Sequence, residues 1–232
     1  MHMRALLVAG CLLMFGAATH AQAQGKDVDL TAPDGIKLKA TYFAAGKPGP
    51  GVLLFHQCGD GGRKTWNNLA AMLADRGFRV LTLDYRGFGD SGDERYAEVD
   101  RQGRGAQQAK WPGDFDVAFN YLVAQPGVDK QRLGVGGASC GGHNAIQLAR
   151  RHPEVKTVVS LSGVMEQSGL DFIQQVNGLP LLLVASQDDG DFVPYTRWLR
   201  AFSHNPQTKL VEYQKAGHGT DMFKVEKGLE PT

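Results

Sequence analysis

The chain has 232 residues, 42% of them hydrophobic and 21% charged, with 30 glycines against 10 prolines. That apolar content excludes an intrinsically disordered chain, and the length suits one globular domain rather than two of usual size. Lys and Arg number 25 against 24 Asp and Glu, so no net basic charge exists to gather phosphates, and a nucleic-acid-binding role is set aside.

Residues 1–23 read as a cleavable export signal. Arg4 supplies the positive start, residues 5–18 are apolar, and Ala21-Gln22-Ala23 is the small-x-small pattern that precedes cleavage. A cut after Ala23 leaves a catalytic domain over 24–232, balanced in acidic and basic side chains and placed in the periplasm or outside the cell. Nothing after residue 23 is apolar over the roughly 20 residues a membrane span needs. In the mature chain Cys58 and Cys140 remain, an even pair in a compartment that permits disulfides.

From there, apolar runs of strand length alternate with longer amphipathic segments, the pattern of a mostly parallel sheet with helices on both faces. Residues 27–30 and 36–43, joined through Pro33-Asp34-Gly35, read as an opening hairpin. Residues 51–56 form the first buried strand, since Val-Leu-Leu-Phe carries no polar alternation. A helix follows over 64–76, with Trp66, Leu69, Ala70 and Leu73 on one stripe and Gly77 ending it. Further strands are expected at 79–84, 132–136, 155–161, 179–185 and 209–213, and helices at 114–124, 140–151, 193–202 and 218–227. The polar stretch 93–113 is a long excursion or a short extra helix, so any cap over the site is minimal.

The strongest chemical signal is Gly137-Ala138-Ser139-Cys140-Gly141, where an apolar strand runs into a helix. G-x-S-x-G in that context is a nucleophile elbow: the serine sits on a strained turn, and small neighbours let backbone and helix approach. The helix start turns free N–H groups toward any oxyanion formed there, with Cys140 N–H as one donor. A dinucleotide fingerprint fails, because Ser139 stands where G-x-G-x-x-G needs its third glycine. A register with Cys140 as nucleophile puts Ala138 two residues before it, where glycine suits the turn better, and this favours Ser139.

With His56-Gln57-Cys58-Gly59 after the first central strand, Asp84-Tyr85-Arg86-Gly87-Phe88-Gly89-Asp90-Ser91 after the next, and the elbow, the chain resembles the α/β-hydrolases, closest to the dienelactone hydrolase-like branch. In that likeness Ser139 stands where dienelactone hydrolase carries cysteine, and Gln57 where glycine is usual. The resemblance implies an α/β-hydrolase fold, Cys58 N–H as the second oxyanion donor with Gln57 N–H as the alternative, and structural roles for Asp84 to Ser91. It also implies a base in a loop after the last strand, which His218 in Ala216-Gly217-His218-Gly219 supplies. His56 reads as a structural hydrogen-bonding residue, His143 as a helix-face residue, and His152 and His204 as helix-end residues.

A serine hydroxyl needs a base, and the order serine, acid, histidine puts the acid between them, after the strand at 179–185. There Asp188, Asp189 and Asp191 compete. The family pattern selects Asp189, with Asp188 as the alternative acid; Asp191 is expected to cap the following helix. The expectation is a serine hydrolase of carboxylic esters or related small acyl compounds, working through Ser139, His218 and Asp189 with no cofactor and no metal. A non-catalytic binding protein on the same fold, a peptidase and an acyltransferase are the alternatives. Cys58 and Cys140 both flank the oxyanion site, as a disulfide across it or as two buried thiols.

Overall fold

The computed structural model describes residues 23–59 and 61–226, so the expected signal segment lies, but for Ala23, outside the described residues. Eight strands form one open sheet in the order β1-β2-β4-β3-β5-β6-β7-β8. Strands β1 (Lys26–Thr31) and β2 (Lys37–Phe43) make the antiparallel hairpin at one edge, and β2 runs antiparallel to β4 (Arg79–Leu83). From β4 onward every pair is parallel through β3 (Gly49–Phe55), β5 (Val128–Ala138), β6 (Val155–Leu161), β7 (Leu181–Ser186) and β8 (Lys209–Tyr213). The central strands are buried on both sides, which is why they read as continuous apolar runs.

One face packs against α3 (Trp111–Ala124), α4 (Cys140–Arg151), α5 (Gln167–Gln175) and α6 (Phe192–Phe202), through Phe115, Phe119, Ile146, Leu148, Ile173 and Leu199. The other packs against α1 (Asn67–Asp75), through Trp66, Ala70 and Ala74, and against Met222 near the C-terminus. No helix among the described residues is long and apolar enough to cross a membrane.

Several elements differ from the expected bounds. The helix expected over 64–76 opens as a 3-10 turn (Gly62–Trp66) before α1, and Gly77 ends it in the left-handed region at φ 95°. The excursion contains the short α2 (Arg101–Gln108), its first turn capped by the Asp100 carboxylate, which accepts from Gly103 N–H at 2.7 Å. Helix α3 begins three residues earlier than expected, with a proline in its first turn, where no backbone donor is missed. The helix expected over 218–227 is a 3-10 turn (Gly219–Asp221) followed by α7 (Met222–Val225), because Gly219 is left-handed at φ 56°. Asp191 precedes α6 but makes no side-chain cap, since its backbone is already helical at φ −66° and ψ −13°. Helix α5 was not anticipated: QSGLDFIQQ offers only Leu170, Phe172 and Ile173 as apolar residues.

Two buried arginines fix the turns around the sheet's carboxyl end. Arg63 is paired with Asp84, both essentially buried, and its Nε donates to Thr41 Oγ1 at 2.9 Å. Arg86 grips Asp114 with Nε and Nη2, both at 2.7 Å. Removing either arginine would strand its buried carboxylate partner, Asp84 or Asp114, away from water.

Candidate active site

The residues singled out from the sequence come from loops after β3, β5, β7 and β8, all at the carboxyl ends of parallel strands, where open α/β sheets form their crevices. Ser139 lies between β5 and α4 with φ 55° and ψ −122°, a backbone state that costs a non-glycine residue energy and persists only when its surroundings impose it. The surroundings do so. A Cβ on Gly137 would lie 2.0 Å from the Gly141 carbonyl oxygen, and one on Gly141 would lie 2.4 Å from Phe55 O and 2.6 Å from His56 O. Ser139 N–H donates to Leu161 O at 2.8 Å, and its carbonyl accepts from Gly142 N–H at 2.9 Å. The two glycines of the motif thus let α4 start against the end of β3, and the Ser139–Leu161 bond ties the turn to the end of β6.

His218 is held from both sides by left-handed glycines, Gly217 at φ 81° and Gly219 at φ 56°. Its Nδ1 lies 2.9 and 3.0 Å from the two carboxylate oxygens of Asp189, which is nine-tenths buried, and the Phe192 ring packs on the imidazole with centroids 4.3 Å apart. Asp188 faces elsewhere. Its carboxylate accepts from Ser186 Oγ and from Gly217 N–H at 3.1 Å, while Ser186 Oγ accepts from Ala216 N–H at 2.7 Å. One carboxylate is therefore on the ring and its neighbour on the loop carrying the ring. Hydrogen bonds to its charged form hold the Asp188 carboxyl below its usual range, that from Ser186 first. Among the described residues, Ser139 Oγ makes no hydrogen bond, so it is not linked to His218 Nε2.

Cys58 and Cys140 form a disulfide, with Cα atoms 5.8 Å apart. It joins the loop after β3 to the first residue of α4 and closes 82 residues of chain, about 4–5 kcal/mol of stabilisation in a chain-entropy account. Neither the Cys58 nor the Cys140 N–H is used in a hydrogen bond among the described residues.

His56 is fully buried against Tyr85, with ring centroids 3.9 Å apart. Its Nε2 accepts from Tyr85 N–H at 3.3 Å, so Nδ1 carries the proton and donates to Gln57 O at 2.7 Å. Burial pulls its pKa down to about 4, and the ring is neutral. That bond fixes the plane of the Gln57–Cys58 peptide. In a trans peptide the Cys58 N–H must then point away from His56.

Beside the elbow lies a cleft of about 650 Å³, walled by Trp111, Phe115, Met165 and Tyr195 with His143 and Cys140 at its α4 side. Trp111 and part of α2 thus bring the excursion into the cleft, while Tyr96 stacks behind on Phe88. His143 sits on this wall, its pKa lowered by burial. His152, at the end of α4, bonds Asp116 at 2.9 Å instead. No group of three or more His, Cys, Asp or Glu among the described residues could hold a metal ion.

The dienelactone hydrolase family model matches residues 38–226, nearly all of the described chain. The chain belongs to the dienelactone hydrolase family. It is similar to the Escherichia coli K12 protein YfhR, 26% identical over 231 residues, which cover 88% of this chain and 76% of YfhR. Among solved structures it is similar to the Pyrococcus furiosus esterase Pf2001, with a TM-score of 0.71 at 19% identity, covering 90% of this chain and 89% of that one. A dienelactone hydrolase from Anabaena variabilis gives a TM-score of 0.70 at 22% identity, covering 90% and 93%. This family member is accordingly a hydrolase with the α/β-hydrolase fold.

Two contributors to the hydrolase site, Ser162 and Phe192, were not singled out from the sequence, and Gln57 was singled out for its backbone N–H and not for its side chain. Gln57 Oε1 accepts from Thr220 N–H at 3.1 Å and Thr220 Oγ1 at 3.3 Å, tying the loop after β3 to the histidine loop. Ser162 Oγ accepts from Gly219 N–H at 3.0 Å. Phe192 backs the imidazole. Only Gln57 carried a sequence signal, as a bulky polar residue in a place where the family uses glycine.

Proposed function

We propose that this protein is an exported serine hydrolase of carboxylic esters or related small acyl compounds. The observation that carries the reading is the Asp189 carboxylate bound to Nδ1 of His218, which leaves Nε2 free to act as base for a serine on a strained elbow. Ser139 Oγ attacks the acyl carbonyl as its proton passes to His218 Nε2. Asp189 holds the ring in the tautomer with Nδ1 protonated and stabilises the imidazolium. The tetrahedral oxyanion lies against the N–H groups of Cys58 and Cys140, each such donor contributing about 2.7–4 kcal/mol in comparable sites. The imidazolium then protonates the leaving alcohol, and water activated by the same base releases the acid from Ser139.

The disulfide supports serine over Cys140 as nucleophile, because Cys140 Sγ is committed to a bond with Cys58. It also supports export into an oxidising compartment. The cleft suits one half of a small-molecule substrate with apolar bulk, its walls being Trp111, Phe115, Met165 and Tyr195. The test is labelling of the mature protein with a fluorophosphonate, followed by peptide mapping. An adduct on Ser139, lost in Ser139→Ala together with turnover of an activated ester while the fold is retained, is the expected result. Turnover by Ser139→Ala at near wild-type rate would overturn the assignment.

A further inference from the structure

We infer that the Cys58–Cys140 disulfide is a positioning element for the oxyanion site, setting turnover rather than substrate affinity; this rests on the serine hydrolase reading above. The two bridged residues are the same two proposed as oxyanion donors, and neither N–H is used in a hydrogen bond among the described residues. Their supports are unequal. Cys140 is the first residue of α4, and the Ser139–Leu161 and Gly142–Ser139 bonds hold that backbone. Cys58 belongs to neither helix nor strand.

On its N-terminal side the Cys58 loop is held by His56 on Gln57 O and by Gln57 on Thr220. On its C-terminal side, a Cβ built on Gly59 would meet nothing within 4 Å, so among the described residues no group packs on that side of Gly59. The bridge to α4 adds a covalent constraint on this loop. It ties the less supported donor to the better supported one over a Cα separation of 5.8 Å.

Oxyanion stabilisation requires donors about 2.7–3.1 Å from the developing charge, and a misplacement of about 1 Å costs on the order of 100-fold in rate. Ground-state binding draws on the cleft walls instead, which the bridge does not build apart from Cys140 itself. Both cysteines are only half-buried and Cys140 lines the cleft, so a small dithiol can reach the bond. Its thiolate attacks one sulfur, the second thiol closes the reagent into a cyclic disulfide, and two electrons and two protons pass to Cys58 and Cys140 as free thiols.

The experiment compares oxidised, dithiol-reduced and reoxidised protein with Cys58→Ser on an activated aryl ester. Turnover is normalised to the folded fraction from circular dichroism, so that lost stability alone cannot imitate the effect. Reduction is expected to lower kcat by roughly 10- to 100-fold with KM changed less than about twofold. Reoxidation restores it, and Cys58→Ser matches the reduced protein and ignores the dithiol. The inhibition constant of a trifluoromethyl ketone, whose hemiketal oxyanion occupies the same donors, is expected to rise in step with the fall in kcat/KM. An active oxidised protein whose normalised kcat moves less than twofold on reduction overturns this inference alone. Oxidised protein that neither turns over the ester nor takes a fluorophosphonate on Ser139 overturns the serine hydrolase reading, and this inference with it.

Discussion

Asp188 and Asp189 are neighbours in sequence with different tasks in space, and exchanging each for asparagine separates them. Both Asp189 oxygens lie within 3.0 Å of His218 Nδ1 in a nine-tenths buried position. In the proposed mechanism an imidazolium forms as Ser139 attacks, and a unit negative charge about 4 Å from its centre contributes about 4 kcal/mol at an effective dielectric of about 20. A neutral amide removes that term, equivalent to about 10³-fold, and its N–H₂ can select the wrong ring tautomer, which carries the loss toward about 10⁴-fold. Asp188 instead accepts from Gly217 N–H and Ser186 Oγ, and an asparagine carbonyl can keep both bonds, so only the charge assistance is lost. A loss of less than about 10-fold in turnover is expected there. The assay is kcat for an activated aryl ester at fixed pH, with melting curves confirming that both variants fold. If Asp188→Asn lost as much turnover as Asp189→Asn, or if Asp189→Asn kept a tenth of it, the assignment of the ring's partner would be wrong.

Two further outcomes concern the scaffold beneath the site. His56 is held neutral down to about pH 4 in the folded protein, whereas in the unfolded chain it takes up a proton below about 6.5; the unfolded state therefore binds more protons between these values. Stability should fall by about 3 kcal/mol as pH drops through that window, read as a decline in denaturation midpoint, and a flat midpoint from pH 6.5 to 4 would refute a buried neutral ring. Gly141→Ala sets a methyl group against two backbone oxygens that cannot yield, so we expect a loss of about 1–3 kcal/mol or more, with a Tm lower by several degrees and little fluorophosphonate labelling. Gly105→Ala, in mid-α2 with nothing within 4 Å, is expected to leave Tm unchanged or slightly raised; equal effects of the two alanines would show that the contacts at Gly141 do not govern the elbow.

Much of the fold is legible from periodicity because parallel strands are buried on both faces. The runs Val155–Leu161 and Lys209–Tyr213, and the helix Cys140–Arg151 announced by the glycine-rich turn before it, have the bounds the sequence suggests. Helix α5 escaped because its helical state is supported by tertiary packing of Ile173 more than by its own pattern. The choice between Asp188 and Asp189 could not be made from spacing, since the turn after β7 closes through Asp189 N–H on Ser186 O and sends successive side chains in different directions. Family likeness chose one of them, whereas the hydrogen bonds give the cause. The disulfide stayed open in the sequence for a similar reason: 82 residues separate its halves, and only folding of β3 beside β5 brings their Cα atoms within bridging range.

Gln57 and Cys58 reach in opposite directions from consecutive positions, one to the histidine loop and the other to the start of α4. A segment too short to be a secondary-structure element thus meets the machinery at two places, and its length is as constrained as its chemistry. Insertions in the α2 excursion would enlarge or reshape the cleft and leave these ties alone. Loss or gain of a single residue between His56 and Gly59 would shift both connections at once. Natural variation in substrate range should accordingly accumulate around α2 and α5, while the four residues after β3 change only by side-chain replacement.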